Sequence, residues 1–180
     1  YLLKEEEVEQ MRVLTRQFAK ELGVVGLINV QYAIRDGVVY VPANGNVLHA
    51  LDAVTGATRW TYSSPGDKVG YSSPTLVGDR IYVGSLGDRG EVRCVSAADG
   101  RELWVTATGS TIYDSSPAVA DGHVSILSVD GNLWVLAADD GRLVARCPLP
   151  AGHGLASPAA GDGAIYAASL SDVVLGFGLR

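Results

Sequence analysis

DGVVYVPANGNVLHALDAVTGATRW, residues 36–60, is the stretch from which the fold can be read, because variants of it return twice and a shortened copy follows near the end. The runs VVYV, RIYV, HVSI and AIYA bring Tyr40, Tyr82, Ser125 and Tyr166 into register at steps of 42, 43 and 41 residues. Gly56, Gly100 and Gly141 keep steps of 44 and 41, and the Ser-Pro pairs at Ser73, Ser116 and Ser157 keep 43 and 41. Three landmarks share one period in the low forties, built of short β-rich runs and Gly punctuation. That combination predicts propeller blades; a helical solenoid would show 3.6-residue periodicity.

Each copy reads as one small sheet. In the second, SPTLV, RIYVGS, EVRCVSA and RELWVTA are four short runs divided by Gly78-Asp79, by residues 86–90 and by Asp99-Gly100. Asp-Gly and similar pairs are hairpin signals, because Gly takes positive φ freely and Asp tolerates it. A four-stranded antiparallel meander cannot bury both of its faces alone, so neighbouring blades must supply the core.

Ala50, Asp52, Thr55, Gly56 and Trp60 in ALDAVTGATRW match the A-x-D-x-x-T-G-x-x-x-W pattern of the pyrroloquinoline-quinone-like β-propeller repeat, which this chain resembles over residues 36–180. The second copy keeps Gly100 and Trp104 beside Cys94, Ser96 and Asp99. The third, with Val135, Ala137, Asp140, Gly141 and Ala145, keeps the turn Gly. The resemblance implies that Trp60 and Trp104, on outermost strands, pack between adjacent blades. A plain core aromatic would make nearly the same physical statement, so both are assigned structure rather than chemistry.

Composition fits a turn-dense globular protein: 180 residues, 47% hydrophobic, 19% charged and 22 Gly. The net charge of −6 and scattered Lys and Arg argue against a nucleic-acid partner. Cys94 shares the register of Ala50 and Val135 and reads as a small core residue. Cys147 shares that of Tyr62 and Thr106, and a bridge between the two would have to cross blades. No apolar run approaches the length of a membrane span, so no integral membrane segment is expected. The opening at Tyr1 is acidic and unlike a signal peptide.

Ahead of the repeats, Val8, Met11, Leu14 or Thr15, Phe18 and Leu22 recur at three- and four-residue steps and predict an amphipathic helix over residues 4–22. Glu5, Glu6 and Glu7 suit its first turn, Lys20 its last, and Gly23 the position after it. Ile28, Val30, Tyr32 and Ile34 then alternate with Asn29, Gln31, Ala33 and Arg35 as a strand. Residues 5–41 resemble the ATP-grasp region of the carbamoyl-phosphate synthetase large subunit, through a helix leading to G-L-x-N-V-Q and a hairpin. In that family the Gln, here Gln31, lies at the ATP-metal site. The resemblance breaks after Val41, where Ala43 stands in place of the metal-binding Glu and Gly45 in place of the Asn. A Mg²⁺ site needs carboxylate oxygens and waters, so ATP-dependent catalysis is not expected.

At the 42-residue step, residues 30–34 fall in register with residues 72–76. The ATP-grasp-like strand thus takes the place of the first blade's innermost strand, and DGVVYV fits both families. The chain reads as a chimera joined at a shared hairpin. The expected fold is mainly β: a partial β-propeller of about three and a half four-stranded antiparallel blades, preceded by one amphipathic α-helix. The division is residues 1–27 for the helix and lead-in, then blades over 28–71, 72–114 and 115–156 with a partial blade over 157–180. Closed propellers typically have four to eight blades. The open alternatives are a fragment of a longer propeller, a helix capping one face, and two copies closing a ring.

Little chemistry is legible. His49, His123 and His153 occupy three repeat registers without metal-ligand spacing, so no metal site is assigned. SLGDRGE, residues 85–91, reads as a hairpin loop and no nucleophile elbow is present. Lys68, Tyr71, Asp114 and His153 lie in loops leading to innermost strands and are the only candidates for the rim of a central channel. Solvated loop residues are the plainer reading of them. The quinone dehydrogenases of the resembled family carry adjacent cysteines and an acidic Ca²⁺ site that this sequence does not show. Pyrroloquinoline quinone with Ca²⁺ is therefore expected only in a longer parent, and no cofactor in this chain. The first function class is a non-catalytic protein-binding or structural scaffold, with a protein or a second copy as partner. The others are a piece of a quinone-dependent dehydrogenase and an inactive carbamoyl-phosphate synthetase remnant. The repeat resemblance favours a soluble periplasmic or extracytoplasmic setting.

Overall fold

The structure, a computed structural model, describes residues 4–21, 31–43, 46–69, 72–150, 155–170 and 173–178. Helix α1, Glu5–Glu21, has Glu5, Glu6 and Glu7 in its first turn and Lys20 in its last, charges that oppose the helix dipole. The predicted end at Leu22 lies outside the described residues.

Four sheets follow in chain order. The first holds β1 (Ala33–Arg35), β2 (Val38–Ala43), β3 (Val47–Asp52) and β4 (Thr58–Ser63). The second is entered by β5 (Lys68–Val69) and built from β6 (Thr75–Val77), β7 (Arg80–Leu86), β8 (Glu91–Ser96) and β9 (Glu102–Ala107). The third holds β10 (Ala118–Ala120), β11 (His123–Leu127), β12 (Asn132–Ala137) and β13 (Leu143–Pro148). Three strands make the fourth: β14 (Ala159–Gly161), β15 (Ala164–Ala168) and β16 (Val174–Gly178). All pairings are antiparallel, and the sheets repeat to the residue. Tyr40 faces Ala33, Tyr82 faces Thr75, Ser125 faces Ala118 and Tyr166 faces Ala159. The architecture is the expected run of antiparallel propeller blades after one helix.

Two local details differ from the sequence reading. Of the strand expected over residues 28–35, residues 28–30 lie outside the described residues, and among the rest only Ala33–Arg35 pair, while the Tyr32 hydroxyl donates to the Met11 carbonyl of the helix at 3.1 Å. The second blade carries an extra strand. β7 has seven residues, β6 covers only its first three, and the incoming chain pairs with the free end through Lys68 to Leu86 and Val69 to Ser85.

The join between the two resembled families folds as a regular hairpin. Asp36 and Gly37 have φ of 50° and 73°, both left-handed as a two-residue I′ turn requires. Ala33, Ile34 and Arg35 then pair with Tyr40, Val39 and Val38. The period-two alternation of β2 divides its side chains. Val38 and Tyr40 face the second blade in a core with Leu48, Tyr62, Ile81, Val83 and Val95, while Val39 and Val41 face α1. There Leu14, 3% exposed, packs with Val39, Ala53 and Ile34. Burial of such a side chain contributes about 1.5–3 kcal/mol, so the helix covers a blade face that would otherwise be wet. Further cores lie between the second and third blades, around Tyr82, Cys94, Ile126 and Leu136, and between the third and fourth, around Leu127, Leu133 and Ile165.

Candidate functional site

Polar side chains converge on the seams between blades. At the first seam the Trp60 indole donates to the Ala97 carbonyl at 3.1 Å, and the Tyr40 hydroxyl donates to the same oxygen at 3.3 Å. At the second, Trp104 and Tyr82 donate to the Ala138 carbonyl, both at 3.1 Å. The ring pairs stand alike, with Tyr40 and Trp60 centroids 5.8 Å apart and those of Tyr82 and Trp104 5.9 Å apart. Each indole lies on a left-handed glycine of the next blade, Gly100 (φ 74°) and Gly141 (φ 73°). A Cβ there would stand 2.6 Å from a Trp60 atom and 2.5 Å from a Trp104 atom. The repeat's Gly and Trp are therefore two halves of one contact between successive copies.

The Ser-Pro marks serve the same seams. The Ser73 N–H donates to Ser116 Oγ and the Ser116 N–H to Ser157 Oγ, both at 2.9 Å. The preceding serines work within their own blades, Ser72 Oγ accepting from the Gly84 N–H and Ser115 Oγ from the Leu127 N–H. In each complete blade the register shifts at one place, between Ala50 and Leu51, Cys94 and Val95, and Val135 and Leu136. The extra residue at this bulge, Arg59, Leu103 or Val144, lies on each fourth strand just after the turn.

An ionic cluster crosses the first seam. Arg93 on β8, 2% exposed, pairs with the buried Glu91 and with Glu102, while Tyr62 of the first blade donates to Glu102 and accepts from Arg93 at 3.0 Å. Burial together with the Glu102 hydrogen bond pushes the Tyr62 hydroxyl up to about 12. Burial works against the Arg93 charge, yet Tyr62 and the two carboxylates hold its pKa above the usual arginine value. Burying these charges is tolerable because each has hydrogen-bonded partners of opposite sign.

On the other side of the first seam a cavity of about 340 Å³ opens between the blades, lined by Val38, Tyr40, Trp60, Asp79, Ala97 and Ala98 among others. Arg35, Asp36 and Arg59 also line it, and both guanidinium groups are engaged. Arg35 pairs with Asp36 and donates to the Gly78 carbonyl, and Arg59 meets Asp52 at 2.8 Å. Asp52 also accepts from the Val54 and Thr55 N–H groups, and with Arg59 foremost these contacts hold its carboxyl well below the usual range.

The channel-rim candidates are placed only in part. Lys68 is exposed on β5 and Asp114 is exposed ahead of Ser115; among the described residues no hydrogen bond or ion pair joins them. Tyr71 and His153 lie outside the described residues. Gln31 is half-buried just before β1, and Ala43 ends β2; Gly45 lies outside the described residues. Cys94 is fully buried in the core between the second and third blades, where burial pushes its thiol up to about 11, and Cys147 packs against the next core. Among the described residues no group of three or more His, Cys, Asp or Glu is placed to hold a metal ion. The ionic cluster is not legible in the sequence because its partners lie up to 40 residues apart; the charged Glu91 and Arg93 inside an otherwise apolar run are the available signal.

The family profile described as outer membrane protein assembly factor BamB matches residues 43–168. The protein of that name from Yersinia pestis is 30% identical over 141 residues, which cover 71% of this chain and 35% of that one. Quinohemoprotein alcohol dehydrogenase of Comamonas testosteroni is 30% identical over 129 residues, 59% of this chain and 18% of that one. A separate match of 41 residues is 63% identical to the carbamoyl phosphate synthase large chain of Gemmatimonas aurantiaca, covering 23% of this chain and 4% of that one. The crystal structure of BamB from Moraxella catarrhalis superposes with a TM-score of 0.68 at 24% identity, over 84% of this chain and 49% of that one. The chain spans about a third of the length of the Yersinia relative.

Proposed function

The chain belongs to the family described as outer membrane protein assembly factor BamB, and from that premise we propose that it serves as a protein-binding and structural scaffold without chemistry of its own. The observation that carries this reading is the use of the repeat's polar marks. Ser72, Ser73, Ser115, Ser116, Trp60 and Trp104 are all engaged within or between blades, which makes the stack a rigid support for its loops. Loops held by a rigid frame are where binding surfaces of such folds lie. The relative's name supplies the partner class, an outer-membrane protein on its way to assembly, and with it an extracytoplasmic setting.

The test is a titration of the purified chain, followed by tryptophan fluorescence, with an extended peptide of alternating outer-membrane-strand sequence, with pyrroloquinoline quinone plus Ca²⁺, and with Mg-ATP. Saturable binding of the peptide alone is the expected result. Saturable one-to-one quinone binding would replace the scaffold with the dehydrogenase reading, and protection by Mg-ATP would revive the synthetase reading.

A further inference from the structure

The repeat places Val38, Arg80, His123 and Ala164 at one register, two residues before Tyr40, Tyr82, Ser125 and Tyr166. At the second seam this position is filled. The Arg80 guanidinium reaches into the next blade's turn and donates to the Ala138 carbonyl at 3.2 Å and the Asp139 carbonyl at 2.8 Å. At the first seam the same two carbonyls belong to Ala97 and Ala98, and the residue that should reach them is Val38. A valine stops several atoms short, and the cavity of about 340 Å³ occupies the difference. The Ala97 oxygen is served by Trp60 and Tyr40, whereas the Ala98 oxygen has no donor among the described residues. Asp79, also in the lining, is exposed and its carboxylate has no side-chain partner among the described residues.

We propose that this cavity is a binding pocket for a guanidinium group, the side chain of an arginine on a polypeptide partner, which takes the place that Arg80 fills one blade further on. The chemistry is selective. A planar guanidinium offers several donors in a fixed fork, enough to meet a turn carbonyl and a carboxylate together, and its faces stack on aromatic rings such as Tyr40 and Trp60; an ammonium does neither as well. The two arginines of the lining do not pre-empt the site, because each is already engaged, Arg35 with Asp36 and the Gly78 carbonyl and Arg59 with Asp52, which leaves Asp79 and the Ala98 oxygen for an incoming donor. The proposal deepens the scaffold reading by naming one contact, yet it is tested apart from it, since small probes bind whether or not the large partner has been found.

The experiment follows the indole N–H signals of Trp60 and Trp104 by nitrogen-15 NMR while an acetylated, amidated Gly-Arg-Gly peptide is added. The Trp60 signal should shift saturably and the Trp104 signal, beside Arg80, should stay in place. The Gly-Lys-Gly counterpart should bind at least fivefold more weakly, and ethylguanidinium more weakly than the arginine peptide. Val38→Arg, which supplies the group from within, should abolish the shift. Asp79→Asn, at an exposed position that leaves the fold alone, should weaken binding severalfold and decides the matter if Val38→Arg does not fold. No saturable shift at Trp60, equal response of both indoles, equal binding of the lysine peptide, or undiminished binding by Asp79→Asn would each overturn the pocket. Tighter binding of ethylguanidinium than of the peptide would overturn the polypeptide source.

Discussion

Gly56, Gly100 and Gly141 occupy one repeat register with nearly the same left-handed backbone, φ of 72°, 74° and 73°, yet only the last two lie under an indole. Replacing each by Ala separates two costs that usually come together. An L-residue in that backbone region costs about 1–2 kcal/mol. At Gly56 nothing lies within 4 Å of the new Cβ, so this is the whole expected loss. At Gly141 the Cβ would stand 2.5 and 2.7 Å from two Trp104 atoms, where carbon atoms prefer about 3.5–4.0 Å. The indole must move, which gives up its bond to Ala138, about 1 kcal/mol, and part of its packing. A total of about 3–5 kcal/mol is expected for Gly141→Ala, within the range of measured overpacking and strain effects. Each kcal/mol moves Tm by about 2–4 °C in a chain of this size, so thermal and urea unfolding both resolve the two variants. In a Trp104→Ala background the Gly141→Ala cost should fall toward the Gly56 value without reaching it, because Thr106 Oγ1 also stands 2.8 Å from the new Cβ, and a double-mutant cycle reads the coupling directly. Equal losses at Gly56 and Gly141, or no coupling to Trp104, would refute the idea that the repeat glycine is a seat for the preceding blade's tryptophan.

Other outcomes follow from the same seams. Glu91→Ala leaves Arg93 buried with half of its carboxylate partners and should cost about 3 kcal/mol in urea unfolding, whereas the exposed pair partner change Arg12→Ala should cost under about 1 kcal/mol. Alkylation of the native chain at pH 8 should label the half-buried Cys147 and spare Cys94, whose thiol is pushed up to about 11; equal labelling would contradict the burial of Cys94. Tyr62, Tyr82 and Cys94 all have raised values when folded, the tyrosines about 12, so their protonated forms favour folding fully below the unfolded values near 10 and 9. Stability should therefore fall as pH rises from about 9 toward 12, and a Tyr62→Phe variant should lose less over that window. Asp52 has the opposite sign: its contribution is present above pH 3.8 and is lost as pH falls below, a loss that Asp52→Asn should not show in acid unfolding.

The blades were legible because Tyr40, Gly56 and Ser73 recur with one period, and periodicity survives without any knowledge of contacts. The hairpin at Asp36-Gly37 was legible for a local reason, since two left-handed residues leave few other choices. What stayed hidden depends on one copy touching the next. Nothing local says that Gly100 supports Trp60, that Ala97 offers its carbonyl to two donors, or that Tyr62 belongs with Arg93. The cavity beside Val38 is a further case: its sign is a mismatch with Arg80, visible only once the copies are superposed residue by residue. The channel-rim candidates, chosen because loops near the axis often bind ligands, rested on position alone, and exposure of Lys68 and Asp114 adds no chemistry to them.

The two ends of the stack differ in kind. Leu14 of the helix lies on Val39 and Ala53 of the first sheet, while at the other end β16 has a single neighbour among the described residues and Tyr166, 46% exposed, stands in the register of Tyr40 and Tyr82 with no turn carbonyl placed before it. Among the described residues, then, the first sheet shows its outer face to a helix, whereas the fourth leaves the register of the seam tyrosines open on a face of the kind that receives the next blade elsewhere in the stack.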